Sequence, residues 1–258
     1  MSVRLPLFPL GTVLFPGLVL PLHIFEQRYR ALVRHLLDLP ADAPREFGVV
    51  AIRSGWEVGP TRPTGPAAGM PGALNVPEDA AGPGGSAERD SGAGRGAISL
   101  YDVGCTAELR QVTELPDGRF DLVTVGRRRF RMLDVDTDAE PYLTAQVEWL
   151  PEPAGTDEAA DLLAPRVLAV FRQYLALIRQ DSGEVTEQLP EDPTVLSHLV
   201  AATAALTLAD RQRLLALPDT AARLRAELRL LNRESALLRA VRAVPVPLTE
   251  LTQPGGPN

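Results

Sequence analysis

There is no lysine in this chain; all 26 of its basic residues are arginine. That removes the phosphate-binding lysine of nucleotide-hydrolysing loops, the Schiff-base lysine and the serine–lysine dyad together. Cysteine is nearly absent as well: Cys105 stands alone, so neither an internal disulfide nor a thiolate metal cluster can form. The three histidines, His23, His35 and His198, are far apart and in no His-x-x-x-His spacing, so no zinc site of the usual kind is expected. No serine stands in a Gly-x-Ser-x-Gly motif, and no nucleophile–base pair can be read anywhere. We therefore expect no catalytic residue, no cofactor and no metal, and a protein that is not an enzyme. No apolar run approaches the eighteen residues of a membrane span, and no cleavable leader opens the chain, which points to the cytoplasm and away from a membrane partner. Positive charge is in deficit too, and a formal net charge of −7 argues against a dedicated nucleic-acid or anionic-membrane binder.

What is present falls into three patterns. Residues 1–152 read mainly as strands around one helix. The apolar runs Leu5–Leu10, Val13–Gly17 and Leu18–Leu22 are interrupted by prolines, which cannot donate to a ladder, so edge strands or extended crossings are expected. A helix follows from Glu26 to Asp38, its buried stripe formed by Tyr29, Leu32, Val33, Leu36 and Leu37, with Arg28, Arg30 and Arg34 in solvent. Strands are expected at Phe47–Ile52, Val103–Arg110, Phe120–Val125 and Leu143–Trp149, the middle two joined through the turn Pro116-Asp117-Gly118. Between the first two of these, residues 54–96 hold 11 Gly and 6 Pro in 43 positions, the composition of a flexible insertion.

Residues 153–244 are helical in pattern and predict a bundle. A long helix carries Val167, Phe171, Tyr174 and Ile178, with Pro165 kinking it or opening its main segment. Asp192-Pro193 is a cap with proline at the first helical position, opening a helix to Leu206. Thr207 caps a short helix over Arg211–Leu217, and Pro218-Asp219-Thr220 starts the last one, with Leu224, Leu228, Leu231 and Leu238 inward. Arg225, Arg229 and Arg233, beside Glu227 and Glu234, read as a solvated, paired face. The tail, 245–258, is expected to be disordered.

The string Pro6-Leu7-Phe8-Pro9-Leu10, Val13-Leu14-Phe15-Pro16-Gly17, Leu20-Pro21-Leu22-His23-Ile24-Phe25-Glu26-Gln27-Arg28-Tyr29 resembles the opening of the Lon N-terminal, or Lon substrate-binding, domain family. Val103–Ala107, Gly126 with Arg129-Phe130-Arg131, Pro141–Glu152 and Leu206–Gln212 are similar to later elements of that family. The resemblance spans all but 54–96 and the tail. It implies an α+β fold, a PUA-like β pseudo-barrel followed by a C-terminal helical bundle. It further implies a free-standing recognition module without ATPase or peptidase, whose partners are unfolded or extended polypeptide segments and conceivably a protease.

Six residues are candidates for polypeptide contact: Phe8 and Phe15 beside a proline-broken edge, then His23, Glu26, Arg28 and Tyr29 at the strand–helix junction. Each also has a structural reading. Tyr29 and the phenylalanines suit the core, His23 a satisfied buried imidazole, and Glu26 a helix start. The alternative function, RNA binding by the barrel, rests on Arg127, Arg129 and Arg131, which strand alternation places on one face. In so acidic a chain a solvated face with ion pairs to Asp134, Asp136 or Asp138 is the stronger reading. Cys105, among apolar residues of its own parity, is expected to be an inert core thiol.

Overall fold

The computed structural model describes residues 3–40, 42–54, 99–152, 158–178 and 189–242. The first part runs β1 (Val3–Leu10), β2 (Val19–Ile24), α1 (Gln27–Asp38), β3 (Glu46–Ser54), β4 (Ser99–Leu100), β5 (Val103–Glu114), β6 (Phe120–Asp136) and β7 (Thr144–Trp149). Four helices follow: α2 (Glu158–Ile178), α3 (Pro193–Thr203), α4 (Leu208–Ala216) and α5 (Thr220–Arg242). Beyond Ser54, the insertion expected over 54–96 lies outside the described residues, as does the tail 245–258.

The sheet is α+β in character and mostly antiparallel, in the order β1-β7-β6-β5-β3-β4, and a parallel β1–β3 pairing bends it toward a barrel. Closure is incomplete because β1 divides its length. Val3–Pro6 pairs with β7, while Leu7–Leu10 pairs with β3. This corrects the expectation of an edge at Phe8: β1 has a strand on either flank, and the division leaves one flank free at Pro6 and at Pro9 to absorb the missing donors. Of the proline-interrupted runs, β2 is the one that forms an edge strand, pairing with β6 and with no other described strand. The Val13–Gly17 run is a crossing, pinned where Gly17 N donates to Gly126 O (2.8 Å) and Gly126 N to Leu18 O (2.8 Å).

The helix stripe forms as the spacing requires, with Tyr29, Leu32, Val33 and Leu36 buried against Phe8, Phe47, Phe120 and Leu122. Of its three arginines only Arg34 is exposed; Arg28 and Arg30 lay their stems along the surface and are half-buried. The β5–β6 hairpin turns on Gly118 at φ 75°, with Gly118 N donating to Leu115 O. Asp192 Oδ1 accepts from Val195 N (2.8 Å) and Thr207 Oγ1 from Asp210 N (3.1 Å), so both predicted caps form, although α4 starts at Leu208 rather than Arg211. Pro165 lies inside α2. A shared apolar cluster joins the two parts, with Val13, Phe15, Ala51 and Val103 from the first and Ala201, Leu214, Leu215 and Ala226 from the second. Among the described residues no helix is long and apolar enough to cross a membrane.

Candidate functional site

At the end of β2 the chain passes directly into α1, and this junction opens a groove. Ile24 is buried, Phe25 turns outward, Glu26 occupies the cap position of α1, and Tyr29 returns to the core one turn later. Phe8, Leu10, Leu22, His23, Ile24, Phe25, Glu26 and Tyr29 enclose about 270 Å³. The floor is aromatic, with the Phe8 and Tyr29 rings stacked at 4.0 Å and Phe47 beyond Phe8 at 5.7 Å. Phe25, 55% exposed, is the rim. The Glu26 carboxylate does not cap the helix; it accepts from Arg28 Nε at 2.8 Å, and the Arg28 guanidinium lies 4.5 Å from the Tyr29 ring centre.

Four of the six candidates therefore meet in one place: Phe8, His23, Glu26 and Tyr29 line the groove, with Arg28 behind Glu26. Phe15 does not join them. It is completely buried in the cluster beneath the helices, its ring 6.2 Å from that of His198. His23 is not a buried imidazole. It faces out with its neighbours of the same parity, Val19 and Pro21, its Nδ1 2.7 Å from Asp121 Oδ1 and its Nε2 3.2 Å from an Arg119 nitrogen. Sequence reasoning passed over Phe25, although a large aromatic between a strand end and a helix start is a signal for such a rim.

The arginine run behaves differently from its expected face. Opposite Thr106, β6 carries an extra residue, since Cys105 pairs with Arg129 while Ala107 pairs with Gly126. Such a bulge reverses side-chain parity beyond it. Arg127 and Arg128 are exposed and paired to Glu108 and Glu46, and Arg128 also lies over Trp149, whereas Arg129 turns inward. Arg131 is exposed. The three arginines thus do not share one face, Arg127 and Arg131 being exposed and Arg129 buried, and the ion pairs of Arg127 and Arg129 are to Glu108 and Glu152 rather than to Asp134, Asp136 or Asp138.

Arg129 is the centre of a buried charge cluster between the barrel and the helices. Its guanidinium donates to Leu215 O (2.8 Å) and Leu217 O (2.5 Å), the carbonyl end of α4, where the helix dipole favours a cation. Its Nε is in ion contact with Glu152 Oε1, and Arg223 on α5 holds Glu152 Oε2 at 3.2 Å and Ser197 Oγ at 2.9 Å. His198 Nε2 is 3.4 Å from the same carboxylate. Burial alone would raise the Glu152 carboxyl, but the His198 contact and the Arg223 and Arg129 charges outweigh it and hold it at about 2. Burial lowers His198, which is therefore neutral at neutral pH.

Arg225, Arg229 and Arg233 are exposed on α5 as expected, with Arg233 paired to Glu234, but Glu227, one turn after Arg223, does not belong to that face. It is completely buried, and neither carboxylate oxygen has a hydrogen-bond partner. Burial pushes its carboxyl well above the ordinary range, against the pull of Arg223. A raised acid stabilises the folded state fully below its unfolded pKa and loses that contribution as pH rises. Glu227→Met should then gain about 1–3 kcal/mol near neutral pH, the cost of an unsatisfied buried polar group. The gain, read from urea unfolding at several pH values, should grow between pH 5 and 8; a gain independent of pH would contradict the protonated, buried assignment. Cys105 is fully buried and desolvation raises its thiol, so it is the inert core residue expected. Among the described residues, no group of three or more His, Cys, Asp or Glu is placed to hold a metal ion.

Comparison with known proteins follows the same lines. The family model for the ATP-dependent protease La (LON) substrate-binding domain matches residues 4–233. Lon protease 2 of Herpetosiphon aurantiacus is 28% identical over 240 residues, covering 92% of this chain and 24% of that protein. Lon protease 1 of Thermus thermophilus is 36% identical over 140 residues, 52% of this chain and 17% of that protein. Among solved structures, the N-terminal domain of the Mycobacterium avium complex Lon protease aligns with a TM-score of 0.58 at 18% identity, covering 89% of this chain and 98% of that one. A Lon N-terminal domain protein from Xanthomonas campestris gives 0.52 at 21% identity, covering 86% and 95%. These structures establish the fold. The chain spans about a quarter of the length of the first of the curated relatives.

Proposed function

Because this chain belongs to the Lon substrate-binding domain family, we propose that it is a non-catalytic polypeptide-recognition module that holds extended apolar segments in the groove of Phe8, Leu22, Phe25 and Tyr29. It works in the cytoplasm as an adaptor or chaperone-like factor linked to proteolysis, without cofactor or metal. The observation that carries this reading is the rim: a phenylalanine more than half exposed, over an aromatic floor. A shallow apolar groove with few fixed polar groups gives modest affinity and little sequence preference, as a module accepting many unfolded chains requires. Among the described residues the arginine run does not favour RNA, since Arg129 is withdrawn from the surface and Arg127 and Arg128 are paired.

The test is fluorescence anisotropy of a labelled, permanently unfolded polypeptide titrated with the protein, with unlabelled RNA as competitor. We expect saturable binding that RNA leaves intact. Phe25→Ala should weaken it about tenfold, the worth of one large apolar contact, without loss of stability, since the ring is largely in solvent. Displacement by RNA, or an unchanged affinity in the Phe25 variant, would overturn the assignment.

A further inference from the structure

We propose that the bound segment docks as an added β-strand on the outer edge of β2, so that backbone hydrogen bonds supply the affinity that sequence-tolerant side-chain contacts cannot. This rests on the reading of the groove as a polypeptide site and specifies how the occupant lies in it. Leu18 O accepts from Gly126 N, so in an antiparallel ladder Leu20, Leu22 and Ile24 also turn their backbone groups to β6. Thr124 Oγ1 adds a bond to Leu20 O on that inner side. Val19, Pro21 and His23 therefore point theirs the other way, where no described strand pairs with them. The strand itself is suited to this division. Its proline sits at an outward position, where its missing N–H breaks nothing in the β6 ladder.

The side-chain surroundings fit a strand. Two depressions adjoin β2, the larger of them over β6, between β2 and β5 and so away from the free edge. One is the aromatic groove of about 270 Å³; the other, of about 390 Å³, lies on the outer face between Pro21, His23, Gln111, Thr113, Asp121 and Val123. His23 and Leu22 line both. Successive side chains of a strand point to opposite faces. An added strand would alternate between the apolar groove and the outer surface beside Val19, Pro21 and His23. The occupant is thus an extended segment with apolar residues at every second position and small polar ones between. A second copy of this chain fits less well. Paired β2 to β2, it would meet the missing donor of Pro21 twice, where a peptide meets it once.

The edge offers N–H and C=O at Val19 and His23, and C=O alone at Pro21, which makes a test of backbone atoms possible. Val19→Pro removes one outward N–H in the way Pro21 already does, leaving the inward ladder intact. It should weaken binding of a labelled ten-residue peptide of alternating leucine and serine about three- to tenfold, one net hydrogen bond, with unfolding by urea unchanged. A scan of the same peptide with single backbone N-methyl groups should lose affinity at every second position. Amide hydrogen exchange at Val19 and His23 should slow on binding. Losses without a two-residue period, or full affinity in the Val19 variant, would overturn strand addition while the parent peptide's binding leaves the groove reading standing. A parent peptide that does not bind removes both. Self-association that the peptide displaces would assign the edge to a second copy and overturn the proposal.

Discussion

Arg129→Met is expected to lose about 3–5 kcal/mol of folding stability, the range for removing one partner of a buried ion pair, and so a large part of the roughly 5–15 kcal/mol that holds a domain folded. The size follows from what the guanidinium leaves behind. Leu215 O and Leu217 O would lose their donor at the end of α4, and Glu152 would keep only Arg223 and His198. Two arginines against one carboxylate look unbalanced, but the carbonyl end of α4 supplies partial negative charge. Arg127→Ala, two residues away and half exposed, should change stability by no more than about 0.5 kcal/mol. Urea unfolding of the two variants beside the parent reads the contrast directly; an Arg129 variant within about 1 kcal/mol of the parent, close to the scatter of surface substitutions, would refute it. The pH dependence has a definite sign. Glu152, held at about 2, contributes stability above its unfolded pKa and loses it as pH falls through the acid range toward 2. Without Arg129 the carboxyl is held less low, so the acid limb of the variant's stability curve should be shallower.

Gly126→Ala is expected to lose about 2–3 kcal/mol, from overpacking together with a lost backbone bond. A Cβ at Gly126 would stand 2.2 Å from Phe15 O and 2.9 Å from Phe15 C, and backbone atoms cannot swing aside as a side-chain tip can. The crossing would have to lift, loosening both Gly17 N to Gly126 O and Gly126 N to Leu18 O, the bonds from which β2 takes its register. Gly17→Ala is the control. Its cost is only that of a left-handed backbone at φ 80°, with open space around the site, roughly 1 kcal/mol. Thermal unfolding of both should rank Gly126 above Gly17. Equal losses would mean that the close approach at Phe15 is not what requires glycine.

Much of the fold was legible because it is local. The α1 stripe repeats at helical spacing, Asp192 and Thr207 are side-chain caps, and Gly118 serves a turn with positive φ. The groove was half legible, since Phe8, His23, Glu26 and Tyr29 lie within one contiguous motif whose ends the barrel folds together. What escaped was set by long-range register. Parity counting along β6 holds to Gly126 and fails at Arg129 because one extra residue, visible only against β5, shifts the pleat. Glu227 looked like a solvent position on a helix with one inward stripe and Arg223 carried no signal of its own, but both are completely buried and Arg223 reaches back to Glu152 beside the barrel. His23 shows the reverse error, in which apolar neighbours outweighed an alternation that already pointed it outward.

The divided pairing of β1 sets an order on synthesis. Arg4 and Thr144 are hydrogen-bonded across 140 positions of chain, so at ribosomal rates of about 5–20 residues per second the leading half of β1 waits roughly 7–30 seconds for its neighbour to exist. Through that interval the leading half of the strand stays unpaired, the condition under which nascent strands recruit one another. Pro6 and Pro9 interrupt its supply of donors at just that stage. The residues that make β1 an awkward strand in the finished barrel are the ones that keep it solitary until the barrel can take it in.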